Sequence, residues 1–223
     1  MVHQGEQPKH RISIPKYTLC EELISSISHG VGVISGLVAM ILCIVKSAQV
    51  GDAYRVVSSV IFGVMVMILY LMSCLYHALK VNKAKRVFRV IDHCTIFLLI
   101  AGTYTPYTLV SLRDTIGWWV FGVIWATAIL GITLNAISLK KFAKLSVALY
   151  LIMGWIIIFA YGYMVSAVPS GGMTLLIWGG VAYTVGAILY GIGAKRKYFH
   201  SVFHFFCLIG TFLHFLSIYL YVL

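Results

Sequence analysis

Between Leu145 and Ala194 the chain runs for 50 residues without an Asp, Glu, Lys or Arg. As one straight α-helix that stretch would measure about 75 Å, more than twice the hydrocarbon thickness of a bilayer. It must fold back, and Val168-Pro169-Ser170-Gly171-Gly172 supplies turn-forming residues in its middle. The same lack of charge recurs along the chain: Leu23 to Val45, Val56 to Leu79, Thr115 to Leu139 and Tyr198 to Leu223 carry none, and Val90 to Leu112 carries only Asp92. With 61% of residues hydrophobic and 10% charged, the chain has too little polar material to cover a soluble fold, which usually has about a quarter of its residues charged. Irregular backbone facing lipid is not a workable alternative to helix. The reading is an all-α, polytopic integral membrane protein of seven spans, at 23–45, 56–79, 90–112, 115–139, 145–166, 172–194 and 198–223. Residues 1–22 form an N-terminal arm ahead of a single transmembrane domain, 23–223.

Basic residues set the expected orientation. The arm has Lys9, Arg11 and Lys16, and the loop after span two has Lys80, Lys83, Lys85, Arg86 and Arg89. Lys140, Lys141 and Lys144 follow span four, and Lys195, Arg196 and Lys197 follow span six. These alternate segments hold 14 of the 17 basic residues, leaving Lys46, Arg55 and Arg113 for the other side. Positive charge is retained in the cytoplasm, so the N-terminus is expected inside and the C-terminus outside. The net charge of +11 belongs to this pattern. No basic face with interleaved aromatics of the nucleic-acid type is present, and no nucleic-acid partner is expected. The polar first 16 residues and full-length first span argue against a cleavable signal peptide. Cys20, Cys43, Cys74, Cys94 and Cys207 lack regular pairing and read as reduced packing residues.

Ionisable groups within spans are costly and so are functional candidates. Here they are His29, His77, Asp92, His93, His200, His204 and His214. The topology puts all but His214 near the cytoplasmic ends of spans one, two, three and seven. His200 and His204 are four apart and project from one helix face, which continues through Cys207, Thr211 and His214. Ser73 and His77 likewise share a face of span two. His214 lies about 15 Å deeper than His204. Three neutral imidazoles at one level, two of them spaced His-x-x-x-His, suit a tetrahedral zinc ion with its fourth position open, as in catalytic sites. Zinc so held makes a nucleophile of water at neutral pH. Asp92 would serve as general base or orient a ligand, and Ser73 would assist it. A lone His-x-x-x-His has a simpler reading as helix-end histidines hydrogen-bonding a neighbouring helix. Its coincidence in depth with His77 and Asp92 brings the metal reading level with that one. His93 points about 100° from Asp92 along the helix. Glu21 and Glu22 are expected to be solvated. Thr103, Thr105 and Pro106 are expected to form a kink whose freed backbone groups the threonines satisfy. Trp118 and Trp119 read as interface anchors.

Glu21-Glu22, Ser28-His29-Gly30, Ser73-x-x-Tyr76-His77, Ile91-Asp92-His93, Ala101-Gly102-Thr103-Tyr104-Thr105-Pro106, Phe199-His200-x-x-x-His204 and His214-Phe215 occur in that order. From Glu21 to the C-terminus the chain resembles the bacterial hemolysin III family, within the progestin and adipoQ receptor superfamily. The resemblance implies a seven-helix fold of the bacterial inner membrane with a cytoplasmic N-terminus and a zinc ion near the cytoplasmic face. It implies His77, His200 and His204 as zinc ligands, Asp92 holding the zinc-bound water, and Ser73 beside it. Similar proteins have been described as receptors, ceramidase-type lipid amide hydrolases, hemolysins and regulators of membrane composition.

Two functions remain nearly level at this point. One is a zinc-dependent hydrolase of a lipid amide or ester, involved in membrane lipid homeostasis. The other is a non-catalytic sensor or regulator of membrane state with a structural zinc. A transporter or channel ranks behind them, as does a cytolysin, because no amphipathic segment suited to entering foreign membranes is evident. Membrane lipids are the expected partners, and no obligate protein partner is expected. The sequence leaves the substrate and the oligomeric state open.

Overall fold

A computed structural model describes residues 14–193 and 196–223. The expected arm is covered only from residue 14 onward, and the end of the sixth expected span, at 194, lies outside the described residues. Among the described residues the chain is helical throughout, with no strand. Its helices are α1 (Leu19–Val50), α2 (Ala53–Ala78), α3 (Lys83–Pro106), α4 (Gly117–Trp155), α5 (Tyr161–Ala167), α6 (Ser170–Gly193) and α7 (Phe199–Tyr221). A π-helical turn, Tyr107–Ser111, extends α3, and a 3-10 turn, Ile156–Ala160, joins α4 to α5. Six helical stretches are long and apolar enough to cross a membrane: Leu19–Val50, Ala53–Ala78, Lys83–Ser111, Gly117–Ala167, Ser170–Gly193 and Phe199–Tyr221. The chain is a multi-pass membrane protein.

The fourth of these stretches is 51 residues long but not straight. The Ser146 hydroxyl donates to Asn135 Oδ1 at 2.6 Å, and Asn135 Nδ2 donates to the Tyr150 hydroxyl at 3.3 Å. Residues 11 apart on a straight helix stand about 16 Å apart along its axis. The chain therefore doubles back between Asn135 and Ser146. Ser138 is the break, with extended backbone angles (φ −163°, ψ 95°) inside the helix. Its hydroxyl accepts from Lys141 N at 3.4 Å and caps the return limb.

Other helix boundaries follow local chemistry. Thr18 and Glu21 form a reciprocal capping box, so α1 starts at Leu19 and takes Glu21 and Glu22 into its first turn. Gly51 ends α1 in the left-handed conformation (φ 77°) that glycine adopts without penalty. Asp52 then caps α2 by accepting from Tyr54 N at 2.9 Å, and Asn82 caps α3 by accepting from Lys85 N at 2.8 Å. Pro106 sits inside α3, with Thr103 and Thr105 donating to the carbonyls of Leu99 and Ala101, each at 2.8 Å. The π-helical turn begins directly after it.

The closest helix packing is α1 on α2, α6 on α7 and α2 on α3. Gly63 of α2 lies against Met40 of α1 so closely that a Cβ there would overlap the methionine side chain. At one end of the bundle, Arg113 meets Asp52 at 3.3 Å and lies over the Tyr54 ring. Lys46 and Arg55 at that end donate to the carbonyls of Tyr219 and Val222, closing the C-terminal turn of α7. The opposite end gathers the start of α1, the end of α2 and the starts of α3 and α7. The histidines are there.

Candidate metal centre

His77 on the last turn of α2 and His200 and His204 on the first turns of α7 come together. All three are buried, at 3%, 8% and 1% exposure. His200 Nε2 stands 3.3 Å from His77 Nε2 and 3.1 Å from His204 Nε2. Nitrogens bound to a tetrahedral zinc at the usual Zn–N length stand about 3.3 Å apart. The full set lies within 4.8 Å, so the widest pair needs only a small ring movement to match.

The other ring nitrogens explain this convergence. His77 Nδ1 lies 2.7 Å from Glu22 Oε2, and its N–H donates to that carboxylate. Its lone pair is thereby directed from Nε2 toward the other two rings. His204 Nδ1 lies 2.9 Å from His29 Nε2, which likewise leaves Nε2 for the centre. The Tyr17 ring stacks on His200 with centroids 4.7 Å apart. Burial raises the Tyr17 phenol above its ordinary pKa, so it remains a neutral cover on the cluster. Three lone pairs aimed at one point repel unless a cation or protons stand between them. The donor set and spacing fit zinc.

Glu22 is the residue that sequence reasoning missed. It is not solvated: besides His77 it binds Lys85 Nζ at 2.6 Å, and Lys85 is itself 2% exposed and donates to the Leu79 carbonyl. Glu21 is also buried. Its Oε2 accepts from Thr18, and its Oε1 accepts from Tyr198 N at 2.7 Å. That second bond fixes the residue before α7, where Tyr198 adopts a left-handed conformation (φ 65°) unusual for a side chain of its size. Ser201 reinforces the junction by donating to the Glu21 carbonyl. The acidic pair therefore orients two of the three imidazoles, Glu22 directly and Glu21 through the start of α7. The pattern Thr18-x-x-Glu21 is a readable capping box, and it would have placed Glu22 inside the helix.

Asp92 lines the same space as His200 and His204, and Ser73 of α2 lines it too. His93 turns aside. Its Nδ1 lies 2.8 Å from the Arg89 carbonyl, and its Nε2 3.2 Å from the Tyr190 hydroxyl. His29 touches His204 without joining the three converging Nε2 atoms. His214, deeper on α7, donates from Nε2 to the Leu176 carbonyl at 3.0 Å. The predicted polar face of α7 is buried throughout, from His200 through His204, Cys207 and Thr211 to His214.

The cluster opens on a cavity of about 1150 Å³ that runs between α3, the return limb of α4, α6 and α7. Its size is slightly above the range of ordinary small-molecule sites. Ile96, Leu99, Ile100, Met173 and Leu176 give its interior an apolar wall. Ile158 and Ile177 line it too, yet are 57% and 42% exposed on the outer surface. There the wall is one side chain thick toward the lipid.

A model of the family described as "Haemolysin-III related" matches residues 17–215. The chain belongs to that family. Hemolysin-3 of Bacillus cereus is 38% identical to it over 203 residues, covering 91% of this chain and 92% of that protein. The Hemolysin-3 homolog of Bacillus subtilis (strain 168) is 38% identical over 195 residues, covering 87% and 91%. No solved structure matches. The haemolysin III membership agrees with the sequence resemblance and is consistent with the wider progestin and adipoQ receptor superfamily. The matched segment contains Glu22, His77, Asp92, His200 and His204.

Proposed function

We propose that this haemolysin III family member is a zinc-dependent hydrolase of membrane lipids that cleaves an amide or ester linkage and serves membrane lipid homeostasis. One observation carries the reading: three imidazoles and a carboxylate stand at the polar end of a large apolar cavity. His77, His200 and His204 hold the zinc. A zinc ion there supplies Lewis acidity toward water and toward an acyl carbonyl alike. The cavity takes the acyl chain and so brings the carbonyl to the cluster. Asp92, with Ser73 beside it in the cavity wall, takes the proton from the attacking water and returns it to the departing amine or alcohol. Glu22 and His29 keep two of the ligand rings in register.

The proposed membrane arrangement has seven crossings, with the limbs of the folded Gly117–Ala167 stretch each crossing once. Hydrogen bonds between Asn135, Ser146 and Tyr150 support counting them separately. The histidine end lies on the cytoplasmic side of the inner membrane, because 11 described basic residues, counting Lys16 and those of the three loops at that end, sit there against three at the other.

The burial of the cluster supports a second reading, in which zinc only clamps α2 to α7 in a sensor of membrane state. Zinc-loaded protein and its Asp92→Asn variant, incubated with a broad panel of bilayer lipids, separate the two. Hydrolysis predicts fatty acid release that falls about 10²- to 10⁴-fold in the variant at unchanged thermal stability. No release from zinc-retaining wild type would leave the clamp.

A further inference from the structure

Two lysines with no acidic partner among the described residues stand at the mouth of the cavity. Lys140 and Lys144 line it on the return limb of α4, and Arg89 lines it from α3, where it stands near Asp92 and Tyr17. Chain composition makes the lysines unusual. From residue 115 to residue 223 there is not one Asp or Glu. Of the acidic residues described at this end, Glu21 is engaged by Thr18 and Tyr198 and Glu22 by His77 and Lys85, and none forms an ion pair with Lys140 or Lys144. Among the described residues, neither Lys140 nor Lys144 has an ion-pair partner.

An orientation signal alone needs only positive charge on that side, wherever it falls. Lys80, Lys83, Lys141 and Lys197 serve it without lining the cavity. Lys140 and Lys144 are four residues apart on the return limb, so both face one way. They face a cavity whose interior is apolar.

We propose that the cavity admits an amphiphile with an anionic headgroup, whose charge Lys140 and Lys144 hold at the rim while its chain fills the apolar interior. The inference rests on reading the cavity as a lipid site and narrows the class of lipid it takes. The headgroup chemistry is that of a phosphate monoester or a carboxylate, and a free inorganic anion would share the charge but lack the chain.

The test uses the full chain in nanodiscs of zwitterionic lipid, stripped of metal so that hydrolysis plays no part. It is titrated with palmitoyl lysophosphatidic acid, with palmitoyl lysophosphatidylcholine, and with inorganic phosphate alone, and binding is read by native mass spectrometry. At low salt the anionic lysolipid is expected to bind about thirtyfold more tightly than the zwitterionic one, given two lysines close to the headgroup. The Lys140→Gln/Lys144→Gln variant is expected to lose that preference while still binding lysophosphatidylcholine. Lys140→Arg/Lys144→Arg is expected to keep it, which guards against misfolding as the cause. Equal affinity of wild type for the two lysolipids overturns the proposal, as does a preference that survives the glutamine variant. Inorganic phosphate binding as tightly as the anionic lysolipid overturns it too, by showing a plain anion site. Failure to hydrolyse any lipid would leave this result standing, whereas failure to bind either lysolipid would remove the lipid reading and this inference together.

Discussion

Glu22→Gln isolates the contribution of the orienting carboxylate. In the wild type, His77 Nδ1 donates to a charged oxygen at 2.7 Å, and the same carboxylate neutralises Lys85. Glutamine keeps an acceptor for His77 but removes the charge. A charge-assisted hydrogen bond contributes about 1.4 kcal/mol more than a neutral one, which corresponds to about a tenfold loss of zinc affinity. That is at the lower end of what loss of an orienting partner costs a metal site. Stability falls separately, because Lys85 loses its counter-charge at 2% exposure. Adding Lys85→Met removes the stranded charge, so the double variant is expected to recover thermal stability without recovering affinity. Competition with a chromogenic chelator measures the affinity, and melting in detergent measures the stability. Zinc affinity in Glu22→Gln equal to wild type, alongside its loss in His77→Ala, would refute the claim that Glu22 aims His77.

Other expectations follow from single positions. Tyr198 holds a positive φ that costs a non-glycine residue about 1–2 kcal/mol, and its ring is half-exposed, so Tyr198→Gly is expected to raise the melting temperature slightly. Gly179 of α6 abuts the His214 ring, and a Cβ there would overlap it; Gly179→Ala is therefore expected to cost about 1–3 kcal/mol, read by thermal melting. For the membrane arrangement, single cysteines in a cysteine-free background at Lys141 and Arg113 should react with an impermeant maleimide from opposite sides of sealed vesicles. Labelling of both from one side would contradict an odd number of crossings between them.

Much of this architecture was legible because lipid imposes two simple demands. Backbone polar groups must be satisfied within the helix, and charges must stay at the ends, so charge-free runs mark crossings and lysines mark turns. The same constraint made the cluster readable: with crossings counted, His77, Asp92, His200 and His204 fall at one depth, and four-residue spacing gives two of them one face. What escaped depends on contacts between distant helices. Glu22 reaches His77, 55 residues away, and Lys85, 63 residues away, and nothing in those separations announces a pair. Its position at the edge of a span suggested water, whereas the crossing of α1 over the ends of α2 and α3 buries it. Ser138 illustrates a smaller shift. The lysines at 140, 141 and 144 locate the turn to within a few residues, but hydrogen bonding by Asn135, Ser146 and Tyr150 sets the break itself.

Zinc K-edge X-ray absorption on the purified chain, with metal content measured in parallel, addresses the cluster most directly. The account predicts one zinc per chain with three imidazole nitrogens and one oxygen at about 2.0–2.1 Å, and its loss in His204→Ala. A spectrum with sulfur ligands, or one unchanged by His204→Ala, would contradict it.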